Sequence, residues 1–236
     1  MGTVSVLKRS EAYNFLARVP FFTSLGPEKA SEVSRLVVKR QFRKNQVVLF
    51  EEDTDKYMYL VYSGSVKVVQ FHGQGEEQIL TIHKRGDFFG EMALLDGKTA
   101  PATVITMEES EIGLLAKSDF DRHVLEDEQA IRQVIAALCE RLRESWLVLR
   151  VMSFADAEPR VRAVLEHLAR LHGVQDARGT LLALKLTHKE IADYASIARE
   201  TVSRLLGRFT REGEIEILEN RHILLKPAFL KKLHLL

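Results

Sequence analysis

The sequence predicts an α+β chain in three parts: an antiparallel β-roll, a long helix, and two short helices followed by a hairpin. Three observations carry this. Apolar residues recur with a period of two in short segments between Phe42 and Leu115. From Ile131 to Met152 they step by four and three, and Thr187–Phe209 holds two short amphipathic stretches around a turn. A period of two belongs to half-buried strands, and a four-three step belongs to a helical seam.

Residues 1–40 read as helical and irregular. PFFTSLGPEKASEVSRL offers a Gly26-Pro27 helix start, then Ala30, Val33, Leu36 and Val37 at helical spacing. The segments VVLFEE, YMYLVYSGSVKVVQF, EQILTIHK, ATVITM and EIGLLA are β-branched or aromatic. Turn residues separate them at Ser63-Gly64, Gly73–Gly75, Gly86-Asp87 and Asp96-Gly97. Many short strands so spaced give a sandwich or barrel, here a jelly roll.

Helical period returns from about Lys117. The seam is Ile131, Ile135, Leu138, Leu142, Ser145, Leu149 and Met152. Such a seam packs on the chain's own β domain or on a second copy. Because the helix also carries Val134, Trp146 and Val148, more apolar surface than one β domain needs, pairing with a second copy is expected. Phe154-Ala155-Asp156 is the joint, with Asp156 as N-cap and Pro159 in the first turn it opens. Val161, Val164, Leu165, Leu168 and Leu171 then line one face, and Gly173 ends that helix. The expected domains are 1–116, 117–154 and 155–236.

Thr187 followed three residues later by Glu190 is a capping box. Ile191, Ala192 and Ala195 give the first helix a small apolar face, and Ser196-Ile197 makes the turn. In the second helix Val202, Leu205, Leu206 and Phe209 share one side, opposite Arg199, Glu200, Ser203 and Arg204. Arginine forks onto guanine O6 and N7, and glutamate accepts from cytosine N4, so this second set suits base edges in a major groove. Thr187 and His188, at the start of the first helix, are candidate DNA contacts. EIEILENRHILLKP reads as a hairpin turning at Asn220-Arg221, a wing, and Ala228–Leu236 as a closing helix.

Composition narrows the function. A chain of 236 residues, 46% hydrophobic, suits two modest domains, and its net charge of +1 excludes a polycation. Locally, Lys185, Lys189, Arg199, Arg204, Arg208 and Arg211 face only Glu190, Asp193 and Glu200, a balance that attracts phosphate. No signal-peptide pattern and no apolar run near the ~18 residues of a membrane span point to a cytoplasmic protein without a membrane partner. The single cysteine, Cys139, excludes an intramolecular disulfide and a four-cysteine iron–sulfur site. It sits on the long helix and reads as inert. The eight histidines show no ligand spacing, so neither metal nor cofactor is expected. An enzyme built on a cupin-like barrel would need a His/Glu metal cluster on adjacent strands, and none is found.

The order β-roll, long helix, winged helix-turn-helix resembles the CRP/FNR superfamily of bacterial transcription regulators. GDFFGEMALLDG (Gly86–Gly97) looks like its phosphate-binding cassette, and ARETVSRLLGRF (Ala198–Phe209) looks like its recognition helix. The resemblance implies a cyclic-nucleotide-binding-like roll and a homodimer on palindromic double-stranded promoter DNA, in contact with RNA polymerase. Arg199, Glu200 and Arg204 match the cAMP-receptor type with TGTGA-like half-sites. Glu200, Ser203 and Arg204 match the FNR type with TTGAT-like half-sites, and Arg199 tilts the choice towards TGTGA. Ser196 stands where the family turn usually has Gly, which implies a left-handed or altered turn. Ala198 replaces the usual Ser cap.

The resemblance also frames an effector pocket of Gly90, Glu91, Ala100, Pro101, Ser145 and Trp146. Gly90 and Glu91 match the ribose side of the cAMP pattern, but Ala100-Pro101 replaces its phosphate-holding Arg-Ser pair. Ala100 has no charge and Pro101 no N–H, so a buried phosphate would lack partners and cAMP gating is not expected. Lys98 sits at a turn and reads as solvated. Glu91 reads as a buried carboxylate serving its own loop's amides, or alternatively as a ligand contact. Trp146 fills the space a purine would take, or else lines a pocket for an apolar effector. His83, beside Lys84 and Arg85, reads as a surface residue rather than a haem ligand.

Overall fold

The computed structural model describes residues 15–16, 19–53, 57–73, 75–218 and 221–233. Parts of the expected N-terminal helical stretch (1–14, 17–18), Asn220 of the wing turn and residues 234–236 of the closing helix lie outside these. Among the described residues, Met1–Gly75 with Ile79–Arg143 form one compact unit, and Glu76–Gln78 with Glu144–Leu236 form the other.

The first unit opens with helices α1 (Pro20–Thr23) and α2 (Pro27–Leu36). Pro27 stands in the first turn of α2, where a missing N–H costs nothing, and Ala30 and Val33 turn inward. Eight strands follow: β1 (Val38–Phe42), β2 (Val47–Leu49), β3 (Tyr57–Ser63), β4 (Ser65–His72), β5 (Glu76–Lys84), β6 (Phe88–Phe89), β7 (Thr103–Thr106) and β8 (Ser110–Ala116). They form two four-stranded sheets, ordered β1-β8-β3-β6 and β2-β7-β4-β5. Helix α3 (Glu91–Asp96) is inserted between β6 and β7.

Strand β1 corrects the sequence reading, which began the strands at Phe42. Its ladder runs antiparallel from Val38↔Leu114 to Phe42↔Ser110. Four of its five residues are exposed, so VKRQF carries no alternation to betray it. Strand β3 is the opposite case, buried on both faces. Met58, Leu60 and Tyr62 face a cluster with Phe21, Phe22, Val33, Leu115 and Phe120, while Tyr59 and Val61 face one with Leu49, Val66, Phe89, Val104 and Ile112. Gly113 of β8 admits Tyr62: a Cβ there would stand 2.5 Å from the ring.

After α4 (Lys117–Phe120) and a π-helical turn at Asp121–Leu125, α5 runs from Glu128 to Ser153. Its 26 residues span about 39 Å. Asp127 Oδ1 accepts from the Ala130 N–H at 3.0 Å, tying its first turn.

The second unit contains α6 (Ala157–His172), β9 (Gly173–Asp176), β10 (Gly179–Leu182), α7 (His188–Ala195), α8 (Arg199–Arg211), β11 (Ile215–Ile217), β12 (Ile223–Leu225) and α9 (Pro227–Leu233). Its sheet is ordered β11-β12-β10-β9, so the wing strands continue into a β9–β10 hairpin that the sequence reading did not foresee. Asp156 holds the N-cap position of α6, but its side chain makes no capping hydrogen bond there.

Candidate nucleic-acid interface and effector pocket

The capping box forms as expected. Thr187 Oγ1 accepts from the Glu190 N–H at 3.2 Å, and Glu190 Oε2 accepts from the Thr187 N–H at 2.7 Å. Helix α7 buries Ile191, Ala192, Tyr194 and Ala195. Ser196 then takes the left-handed conformation, φ 49° and ψ 55°, the geometry that usually selects glycine. Ala198 caps α8 without a side-chain hydrogen bond, the expected consequence of losing a serine.

Helix α8 buries Val202, Leu205, Leu206 and Phe209. Arg199, Glu200, Ser203 and Arg204 are all exposed, as is Thr187, whereas His188 is half-buried. The basic set divides. Lys185, Arg199, Arg204 and Arg211 make no ion pair among the described residues. Lys189 is held by Asp193 at 2.8 Å, and Arg208 turns inward to Glu158. Arg208 therefore drops out of the expected phosphate-facing set: it is a strut between α8 and α6. Burial pushes the Glu158 carboxyl up, but hydrogen bonds from Arg162 and Arg208 outweigh it and hold it below the ordinary carboxylate range. Arg162, only 3% exposed, joins Glu214 at 2.7 Å and lies 4.2 Å over the Phe209 ring, pinning α6 to the recognition helix and the start of the wing.

A groove of about 510 Å³ opens between the start of α7 and the wing, rimmed by Thr187, His188, Lys189, Arg199 and Arg221. Arg221 is exposed at φ 66°, in the wing turn. The sequence reading placed it in that turn but assigned it no role.

In the roll, Gly90 at φ 86° opens α3. A Cβ there would stand 2.8 Å from both the Tyr57 carbonyl oxygen and the Tyr59 ring, so the cassette admits glycine alone. Glu91 is 2% exposed. Its partner corrects the expectation that it serves its own loop: Arg141 of α5 donates to Glu91 Oε1 and to the Phe88 carbonyl, and lies 4.3 Å over the Phe88 ring. Oε2 of Glu91 is buried without a partner. Sequence reasoning missed Arg141, whose one signal was a charge on the inward side of the heptad helix.

Ala100 is buried and its backbone is spent: its N–H donates to Asp53 O, and its carbonyl accepts from Glu52 N–H, both at 2.9 Å. Pro101 is exposed, and its carbonyl accepts from Gln70 at 3.2 Å. Neither residue offers a donor to an anion. Inside the roll Tyr59 stacks on Phe89 at 4.8 Å, and His83 lies parallel to Phe89 at 6.1 Å. His83 is 8% exposed, so the surface position expected for it is wrong: it is an interior ring. Lys98 is exposed, as expected of a turn residue.

The seam also shifts. Leu138 packs against the core of its own unit, and Ile131 and Met152 are half-buried. Ile135, Leu142 and Leu149 are more than half exposed, joined on the same stripe by Cys139 and Trp146. Trp146 is 61% exposed, so within the single chain it fills no enclosed space. Ser145 is exposed beside it. Among the described residues no group of three or more His, Cys, Asp or Glu is placed to hold a metal, and no helix is long and apolar enough to cross a membrane.

Comparison with known proteins agrees with this geometry. The cyclic nucleotide-binding domain model matches residues 39–127, and the Crp-like helix-turn-helix model matches residues 160–233. The cyclic AMP receptor protein of Thermus thermophilus is 30% identical over 84% of this chain and 88% of its own length. A CRP-like cAMP-activated global transcriptional regulator of Mycobacterium tuberculosis is 27% identical over 90% of this chain and 95% of its own. The solved structure of FixK2 from Bradyrhizobium japonicum superposes with a TM-score of 0.73 at 25% identity, covering 85% of this chain and 96% of that one. With a nucleotide-binding-type roll, a Crp-like helix-turn-helix and relatives that match it almost end to end, the chain belongs to the CRP/FNR family of transcription regulators, a family without enzymatic activity.

Proposed function

We propose that two copies pair along the open stripe of α5 and present two α8 helices to a palindromic site in double-stranded DNA. The observation that carries this is the exposed arc Arg199, Glu200, Ser203 and Arg204, whose cations have no counterion among the described residues. Thr187, His188 and Arg221 flank the arc and serve the phosphates. Arg199 and Arg204 each fork onto a guanine and Glu200 onto a cytosine, which favours a TGTGA-like half-site over a TTGAT-like one. A 1–116 roll, a 117–154 dimer helix and a 155–236 reading head divide the work, in the cytoplasm and in contact with RNA polymerase.

In this reading the regulator is not gated by cAMP, since Ala100 and Pro101 have no donor to give a cyclic phosphate. A mobility-shift titration of TGTGA and TTGAT palindromes against scrambled DNA, run beside light scattering, tests both halves. A dimer with a TGTGA preference is expected; a monomer, or equal affinity for scrambled DNA, refutes the reading.

Two observations favour a second reading, in which the roll takes a cyclic nucleotide or another hydroxyl-bearing ligand. Glu91 Oε2 is buried without a partner, and two of the matching relatives are named for cAMP. Calorimetry with cAMP, cGMP and cyclic di-GMP separates the two: saturable micromolar binding establishes the second.

A further inference from the structure

The last carbonyls of a helix find no N–H within it and must be met from outside. At the end of α5, the carbonyls of Met152 and Phe154 are met by one side chain, Arg160 of α6. Its Nε donates to Phe154 O at 2.8 Å and its Nη2 to Met152 O at 3.3 Å. The remaining arm, Nη1, reaches Ser196 O at 3.5 Å, in the left-handed turn that launches the recognition helix. One planar guanidinium thus touches the end of the dimer helix and the turn of the reading head. A guanidinium suits this post because its donors diverge in a fixed fork, whereas an ammonium is a point charge with no preferred plane. The carbonyl end of α5 is also the negative end of its dipole, which favours a cation there.

The neighbours of Arg160 complete the joint. Glu158, two residues earlier on α6, holds Arg208 of α8, and Arg162 holds Glu214 before β11. Behind them Val148 and Val151 of α5 line, with Val164, His167 and Tyr194, a small void of about 10 Å³. The joint is therefore packed on one side and strapped by Arg160 on the other.

We infer that Arg160 is the positioning residue that sets the angle at which α5 delivers α8, and with it the half-site spacing the dimer accepts. This rests on the paired-helix reading above. A two-fold reader needs its two recognition helices about one DNA turn apart, and one base pair added at the centre displaces a half-site by about 3.4 Å and about 35°. A strapped joint rejects that displacement; a loosened joint tolerates it.

The test uses full-length wild type, Arg160→Gln and Arg160→Lys, with palindromes of the preferred spacing and with one central base pair inserted or removed. Wild type is expected to favour one spacing by on the order of tenfold. In Arg160→Gln the preference collapses to within about threefold, and Arg160→Lys, which keeps the charge but not the fork, falls between. An unchanged preference in Arg160→Gln, or a uniform loss at every spacing that tracks a lowered unfolding midpoint, overturns the inference. If Arg160→Gln does not fold, Arg160→Lys decides: the full wild-type preference overturns it, and an intermediate one supports it. A wild-type protein indifferent to spacing overturns the paired-helix reading, and this inference with it.

Discussion

In the Gly86–Gly97 cassette the one acidic side chain turned inward is 2% exposed and already answered by an arginine of its own unit; on α8 Arg199, Glu200, Ser203 and Arg204 stand in solvent, and neither of these two arginines has an ion pair among the described residues. The two motifs that identify the family have met different fates. Cassette geometry persists in Gly90 and Glu91, while the polar groups beside it, from Ala100 to Gln70, are engaged with one another. The recognition helix keeps its outer groups uncommitted and ties only Arg208 inward. A surface built to bind leaves charges unanswered, and a surface built to hold answers them from within.

Four measurements break or sharpen that contrast. The largest effect belongs to the interior: Arg141→Met strands Glu91 as a buried, unpaired carboxylate, and removing one partner of such a pair costs about 3 kcal/mol or more. Urea unfolding should show that loss, with the DNA affinity of the remaining folded protein near wild type. The reverse pattern belongs to α8. Arg204→Ala is expected to lower affinity for the palindrome by about 1–3 kcal/mol, concentrated at one base pair, while the unfolding midpoint stays put. Equal stability losses in both variants would erase the distinction.

The third measurement concerns acid. His167 is 3% exposed, and burial with the nearby Arg170 charge lowers its pKa from 6.5 to about 4. As pH falls from about 6.5 towards 4 the unfolded chain takes a proton that the folded unit refuses, so stability present above that window is lost within it. Unfolding at pH 7 and pH 5 should show the loss in wild type and a smaller one in His167→Leu. The smallest effect is a gain: Ser196→Gly relieves a left-handed serine and should stabilise the second unit by about 0.5–1 kcal/mol. If Ser196→Gly lowers the melting temperature instead, the turn is not strained.

What was legible from the sequence follows from how local each signal is. The capping box and the two-sided α8 depend on residues within a few positions of one another and could be read directly, whereas the left-handed or altered turn at Ser196 was implied only by the family resemblance. Strand β1 escaped because its outward side chains follow no period. The β9–β10 hairpin escaped because four-residue strands leave too little pattern. Arg141 meets Glu91 across fifty residues, a distance no spacing rule spans. His83 was misplaced because its charged neighbours in sequence are not its neighbours in space. The stripe left open on α5 shares Ile135, Leu142 and Leu149 with the expected seam. Two stripes one residue apart on this helix, through Leu138 or through Cys139 and Trp146, both step by four and three, so spacing alone does not choose between them. Leu138 ends up facing the core, and Cys139 and Trp146 come round to the open side.

That open side carries an instrument of its own. Trp146 is the sole indole in the chain and stands largely in water. Indole emission moves to the blue when water leaves its surroundings, and no other residue contributes that signal. Diluting the unlabelled regulator and following the colour of its fluorescence therefore reports directly on whether the stripe is covered, in free protein and on promoter DNA alike.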